Sequence, residues 1–204
     1  MNADNSTQHT TQQAPRTQPK IPRTIWVLVG AAFIIALGYG LIAPVLPQFA
    51  GSFGVSMAAA GAVISIFAFA RLIGAPGAGR LVDRLGSRPI YLTGLLIVAA
   101  STFFVAFAQA YWQILALRFI AGFGSTMFTL SAQALIVRVT HPSIRGRANA
   151  LYASAFLVGN VVGPIIGAAL SFLGFRAPFV IYGLAVAGAA VAVGALTQPK
   201  PGSD

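Results

Sequence analysis

The sequence predicts an all-α membrane protein of six transmembrane helices. Hydrophobic residues make up 57% of the 204-residue chain and charged residues only 8%, where a soluble domain carries roughly 25% charged residues. Mean hydropathy is +0.81. Six apolar segments follow one another, each of about the 20 residues that a helix rising ~1.5 Å per residue needs to cross ~30 Å of hydrocarbon.

Before them, residues 1–23, "MNADNSTQHTTQQAPRTQPKIPR", hold too little apolar surface to offset the entropy of ordering and read as a disordered cytoplasmic tail. The apolar run that follows is too long for a secretory signal, and no small-residue cleavage site closes it. Residues 24–197 form the transmembrane domain, and residues 198–204 form a short cytoplasmic C-terminal tail.

The first segment, Ile25 to Pro47, closes on "LGYGLIAPVLP", where Pro44 and Pro47 are expected to stop the helix at the outer surface. The second, Ala58 to Ala78, carries Arg71, which either snorkels to the cytoplasmic surface or lends positive potential to a cavity. "GRLVDRLGSRP" then joins it to the third segment, Ile90 to Ala108. Gly86 is placed as a left-handed stop and Pro89 in the first turn of the next helix. Arg84 and Arg88 suit a helix C-terminus, whereas Asp83 does not and needs a partner, either Arg80 one turn back or a group elsewhere.

The fourth segment, Trp112 to Val137, contains "ILALRFIAGFGS" and buries Arg118 about six residues, or roughly 9 Å, from its outer end. A cation at that depth costs at least ~2.5 kcal/mol on insertion scales, so a functional role is the default. Arg118, Gly122, Ser125, Thr129 and Gln133 recur at helical spacing, a polar stripe that suits a substrate path or interhelical hydrogen bonding. The fifth segment, Asn149 to Phe172, includes "GNVVGPIIGA", with Gly159, Gly163 and Gly167 on one ridge and Pro164 beside them. Small residues at that spacing let membrane helices approach closely. Pro178 to Leu196 is the sixth.

Six crossings leave both termini on one side. Arg16, Lys20, Arg23, Arg80, Arg84, Arg88, Arg138, Arg145, Arg147 and Lys200 fall on that face and Arg176 alone on the other, which makes the termini cytoplasmic. The outer turns "QFAGSFGVS" and "QAYW" are uncharged. The net charge of +10 therefore reflects membrane topology, and no nucleic-acid partner is expected.

Four of these stretches together resemble the major facilitator superfamily. "GRLVDRLGSR" is similar to G-x-L-a-D-r-x-G-r-k through Gly79, Leu81, Asp83, Arg84, Gly86 and Arg88, with Ser87 where a basic residue is usual. The close of the first segment resembles l-g-x-x-x-x-x-P-v-l-P through Gly38, Pro44 and Pro47. Arg118, Gly122 and Gly124 fit R-x-x-q-G-x-g, with Ala121 in place of Gln. Gly159, Gly163, Pro164 and Gly167 fit g-x-x-x-G-P-x-x-G-G, with Ala168 in the final position. The resemblance implies the amino-terminal half of a twelve-helix drug/proton antiporter in the cell membrane, working by alternating access against a second six-helix half. It further implies a conformational latch around Asp83, a coupling role for Arg118 and Gly122, a glycine ridge used for close packing between moving halves, and the proton as coupling ion.

The three acids, Asp4, Asp83 and Asp204, leave the six segments without an intramembrane carboxylate, so a second half supplies the proton carrier or coupling takes another form. A substrate site here would draw on Phe33, Tyr39, Arg71, Thr129, Gln133, Asn149 and Asn160, a lining better suited to a lipophilic or anionic small molecule than to a cation. Enzymatic chemistry is not expected, because there is no Cys, no carboxylate pair, and only His9 and His141. No cofactor or metal is expected. The competing reading is a non-transporting, truncated or accessory protein that associates with a full transporter.

Overall fold

The computed structural model describes residues 20–197; of the tail expected at residues 1–23 it describes residues 20–23, and Arg23 already opens the first helix, while residues 1–19 and the tail expected at 198–204 lie outside the described residues. Among the described residues, six α-helices run in order: α1 (Arg23–Gly51), α2 (Met57–Leu85), α3 (Ser87–Val105), α4 (Tyr111–Val139), α5 (Arg145–Ala169) and α6 (Ala177–Leu196). Short 3-10 turns, Pro142–Ile144 and Ser171–Leu173, flank α5. All six helices are long and apolar enough to cross a membrane.

Several helices outrun their apolar segments. α2 continues seven residues past Ala78, through Arg80, Asp83 and Arg84, and α5 begins at Arg145, four residues ahead of Asn149. Hydropathy marks what lies in hydrocarbon, whereas the backbone hydrogen-bond ladder carries on into the aqueous layer. Only Gly86 separates α2 from α3. Its φ of +88° is a conformation that side-chain-bearing residues rarely adopt, so the chain can reverse there in a single residue. Pro89 sits in the first turn of α3, as expected.

The expected stop at Pro44 and Pro47 is not found, since both lie inside α1, which runs on to Gly51. Each proline removes one N–H and so leaves a carbonyl, of Gly40 and of Ala43, without its helical partner. The helix persists because tertiary packing holds this end: Leu41, Leu46 and Phe49 are buried there. Gln48 Nε2 also donates to the Pro44 carbonyl at 2.9 Å.

In the bundle α1 packs chiefly on α5 and then on α6, while α4 lies between α2 and α3, and α3 also meets α6. Arginines fasten two helix ends. Arg176 donates to the carbonyls of Ala106 (2.6 Å) and Ala108 (3.2 Å) just past α3 while stacking on Phe49 of α1. Arg88 donates to the Gly194 carbonyl (2.7 Å) and the Thr197 hydroxyl (3.0 Å) at the end of α6. Each places a cation where helix carbonyls lack donors and the dipole is negative.

The glycine ridge of α5 faces α1. A methyl group built on Gly159 would lie 2.7 Å from the Phe33 carbonyl oxygen and 2.8 Å from the Leu37 nitrogen, and one on Gly167 would lie 2.9 Å from the Leu41 carbonyl oxygen. At Gly163 it would overlap the Leu37 carbonyl and press on Gly40. The ridge glycines make close backbone contact with α1 inside the six-helix bundle. Gly122 and Gly124 act similarly on α4, the first against the Phe67 carbonyl (2.6 Å) and the second against the Gly94 carbonyl (2.8 Å).

Gly163→Ala should therefore destabilise the bundle by ~1–3 kcal/mol through overpacking against backbone that cannot move aside. Gly61→Ala, where the added methyl meets open space, should leave stability unchanged or raise it. Thermal unfolding of the two variants in the same detergent checks this, and equal melting temperatures would show that the ridge does not hold α1 to α5.

Candidate functional site

The helices are unevenly covered. Within the membrane-crossing windows 56% of α1 and 50% of α3 and α4 is buried, against 28% of α2 and 22% of the Pro142–Ala169 span that contains α5. The two least covered helices flank an open cleft whose floor is α1 and α4.

The cleft has two adjoining chambers of about 400 and 510 Å3, both lined by Tyr39, Arg71, Phe156 and Asn160. Phe67 and Arg118 belong to the first; Ser125, Thr129, Gln133 and Tyr152 belong to the second. Such volumes match small-molecule sites, which run ~300–1,000 Å3.

Arg118 is 6% exposed, and its guanidinium lies 4.3 Å from the Phe67 ring centroid. Its Nε is buried with no hydrogen-bond partner among the described residues. One turn along α4, Gly122 brings that helix onto α2 at the Phe67 carbonyl and the Ala70 methyl group. One turn along α2, Arg71 is exposed to the cleft with its guanidinium 5.9 Å from the same ring. Thr126 fixes that turn by donating to the Arg71 carbonyl at 3.1 Å.

Tyr39 closes the group, donating to Ser125 Oγ at 2.9 Å and meeting Phe67 edge-on at 5.6 Å. Asn160 Nδ2 donates to the Phe156 carbonyl at 3.0 Å, and Thr129 turns its hydroxyl back to the Ser125 carbonyl at 2.7 Å. Thr129 thus offers the cleft a methyl group more than a free hydroxyl.

The structure brings Tyr39, Arg71, Thr129, Gln133 and Asn160 together as the sequence suggested, and adds Arg118 to them. Phe33 and Asn149 line neither chamber; the Phe33 backbone lies beneath Gly159 instead. Phe67 and Phe156 were missed, although each stands one turn before a polar cleft residue, Arg71 and Asn160. That i, i+4 pairing of an aromatic with a polar group was the available signal.

At the other end of α2, Asp83 and Arg84 are exposed, and Asp83 has no ion-pair partner among the described residues. Arg88 is already bound to the end of α6. Pro44 and Pro164 line a smaller cleft of about 350 Å3 with Gln48, Gly167 and Pro178.

The sequence profile of the Major Facilitator Superfamily matches residues 28–204. The chain belongs to this superfamily. It is 34% identical over 167 residues to the multidrug resistance protein MdtG of Escherichia fergusonii, covering 79% of this chain and 41% of that protein, and it is equally similar to MdtG of Salmonella arizonae. It shares its fold with the human organic anion transporter MFSD10 (TETRAN), with a TM-score of 0.75 at 23% identity over 89% of this chain and 48% of that one. The chain thus spans less than half the length of these relatives. As a superfamily member with six apolar helices it is a multi-pass membrane protein.

Burial of Arg118 without a counterion works against stability. The cost of a cation at mid-helix is ~2.5–3.5 kcal/mol on insertion scales, and stacking on Phe67 returns ~0.5–2 kcal/mol. Arg118→Met should therefore melt at or above the wild-type temperature in detergent; a fall of several degrees would assign Arg118 to the scaffold.

Proposed function

We propose that this six-helix bundle is one half of a transporter that moves a small molecule across the cell membrane, exporting drugs or metabolites by alternating access. The observation that carries the reading is the open, polar-and-aromatic cleft between the two least covered helices. Isolated helix bundles in lipid have no reason to hold Arg71 and Arg118 there, since intramembrane cations are expensive unless they serve a pathway. A purely accessory role leaves that expense unexplained. The curated relatives, multidrug resistance proteins, support export of drug-like molecules.

In this reading a second six-helix bundle, from further sequence of the same protein, a separate chain or a second copy, covers α2 and α5. Rocking of the two bundles then opens the cleft to alternate sides. The free carboxylate of Asp83, at the cytoplasmic end of α2, accepts contacts from the second bundle and latches one of the two states, with both termini cytoplasmic. Coupling to the proton gradient requires a titratable group, and among the described residues the membrane helices hold no carboxylate except Asp83 at the very end of α2. The proton carrier therefore comes from the second bundle, with Arg118 as its electrostatic neighbour.

Everted vesicles carrying the assembled transporter should accumulate at least one of a panel of neutral, anionic and cationic fluorescent probes when a pH gradient is imposed, and should release it when a protonophore is added. Asp83→Asn should leave membrane insertion intact and lower the initial flux about tenfold, the loss of roughly one charge-assisted contact. Absence of flux for every probe would overturn the transport reading. Flux that survives collapse of the gradient would remove the proton from it.

A further inference from the structure

Two guanidinium groups share one aromatic ring in the cleft. Arg118 reaches Phe67 from α4 and Arg71 from one turn further along α2, at 4.3 and 5.9 Å. The only carboxylate on a described helix, Asp83, stands twelve residues from Arg71, about 18 Å along α2. Among the described residues no carboxylate lies near enough to neutralise the pair.

The two cations are exposed to different degrees. Arg71 is exposed in the open cleft, whereas Arg118 is buried and its Nε has no partner among the described residues. A buried guanidinium is tolerated when a counterion meets it with hydrogen-bond geometry, and its planar fork matches two-oxygen acceptors. Phe67, Tyr39 and Phe156 line the same chamber as that charge with aromatic surface, which suits an apolar body attached to the anionic group.

We infer that the cleft binds amphipathic organic anions: a carboxylate, phosphonate or similar oxyanion is received between Arg118 and Arg71, and its apolar body lies along Phe67, Tyr39 and Phe156. The inference rests on the proposed transport role and names its substrate class. Anion binding also explains how the bundle keeps Arg118 buried, because the occupant itself supplies the counterion. A cationic drug of the same shape meets two like charges and no carboxylate, and is excluded.

The test uses three probes of one shape: 2-naphthoate, 2-naphthalenemethanol and 2-naphthylmethylammonium. Binding to the full 204-residue chain is measured at pH 8 in nanodiscs of zwitterionic lipid. Naphthoate should bind at least about tenfold more tightly than the alcohol, with the ammonium compound weakest. Arg118→Gln and Arg71→Gln should each bring naphthoate close to the alcohol while leaving the alcohol unchanged, and Arg118→Lys should retain part of the preference. Arg71 is exposed, so its replacement reads the site even where Arg118→Gln does not fold.

Equal binding of the three probes, or a preference for the ammonium compound, would overturn the inference. So would a naphthoate preference that survives both glutamine variants. Adding phosphatidylglycerol to the nanodiscs separates two sources of the same chemistry: unchanged naphthoate affinity supports a soluble anion, and its loss gives the site to a lipid headgroup and overturns the substrate assignment. Flux is read separately in the everted vesicles. Export of neutral or cationic probes without anion preference refutes this inference and leaves the transport reading standing, whereas anion binding without flux of any probe does the reverse.

Discussion

Backbone contact between α1 and α5 is the constraint on which the rest of the bundle depends. In lipid the hydrophobic effect does not hold helices together, so association needs dense van der Waals contact, and that requires positions without side chains. Gly159, Gly163 and Gly167 supply them on α5 and Gly40 on α1. The contact also places the cleft. Tyr39 adjoins Gly40 and Asn160 adjoins Gly159, so the ridge that seats one helix on the other fixes which polar groups turn outward beside it.

The same logic operates on α4 with a different result. Gly122 lets α4 reach the α2 backbone at Phe67 and Gly124 lets it reach Gly94. Held from both sides, α4 carries Arg118 on rigid backbone and presses its guanidinium against the Phe67 ring. Gly122 is thus tied to Arg118 through geometry: it takes no part in any charge interaction, but without it the cation would not meet the ring.

Most of the fold was legible in the sequence and the site only in part. Six crossings follow from hydropathy because each helix must satisfy its own backbone in hydrocarbon, and no other element can do so. Helix ends were less legible, since Arg80 to Leu85 and Arg145 to Ala148 extend helices beyond what hydropathy reports, and Pro44 and Pro47 sit in a helix that tertiary packing sustains. Arg71, Tyr39 and Asn160 were readable as polar groups in apolar runs. Phe67 and Phe156 were not, because an aromatic in an apolar run looks like any other membrane residue until a neighbouring helix brings a charge to it. The partner of the α5 ridge was likewise unreadable, as glycine spacing states that a close contact exists and not which helix makes it.

Charge placement gives the cleft its chemical character. Asp83 lies at the far end of α2 from the site, while Arg71 and Arg118 converge on one ring, so the cleft carries positive charge with no carboxylate beside it among the described residues. A stable core would have put an apolar residue at position 118, because a buried ion without its partner works against folding. A counterion supplied from outside the bundle, as proposed above, would offset that cost. In the proposed transporter two sources of such a partner fit, a carboxylate on the covering bundle and the anionic group of a substrate.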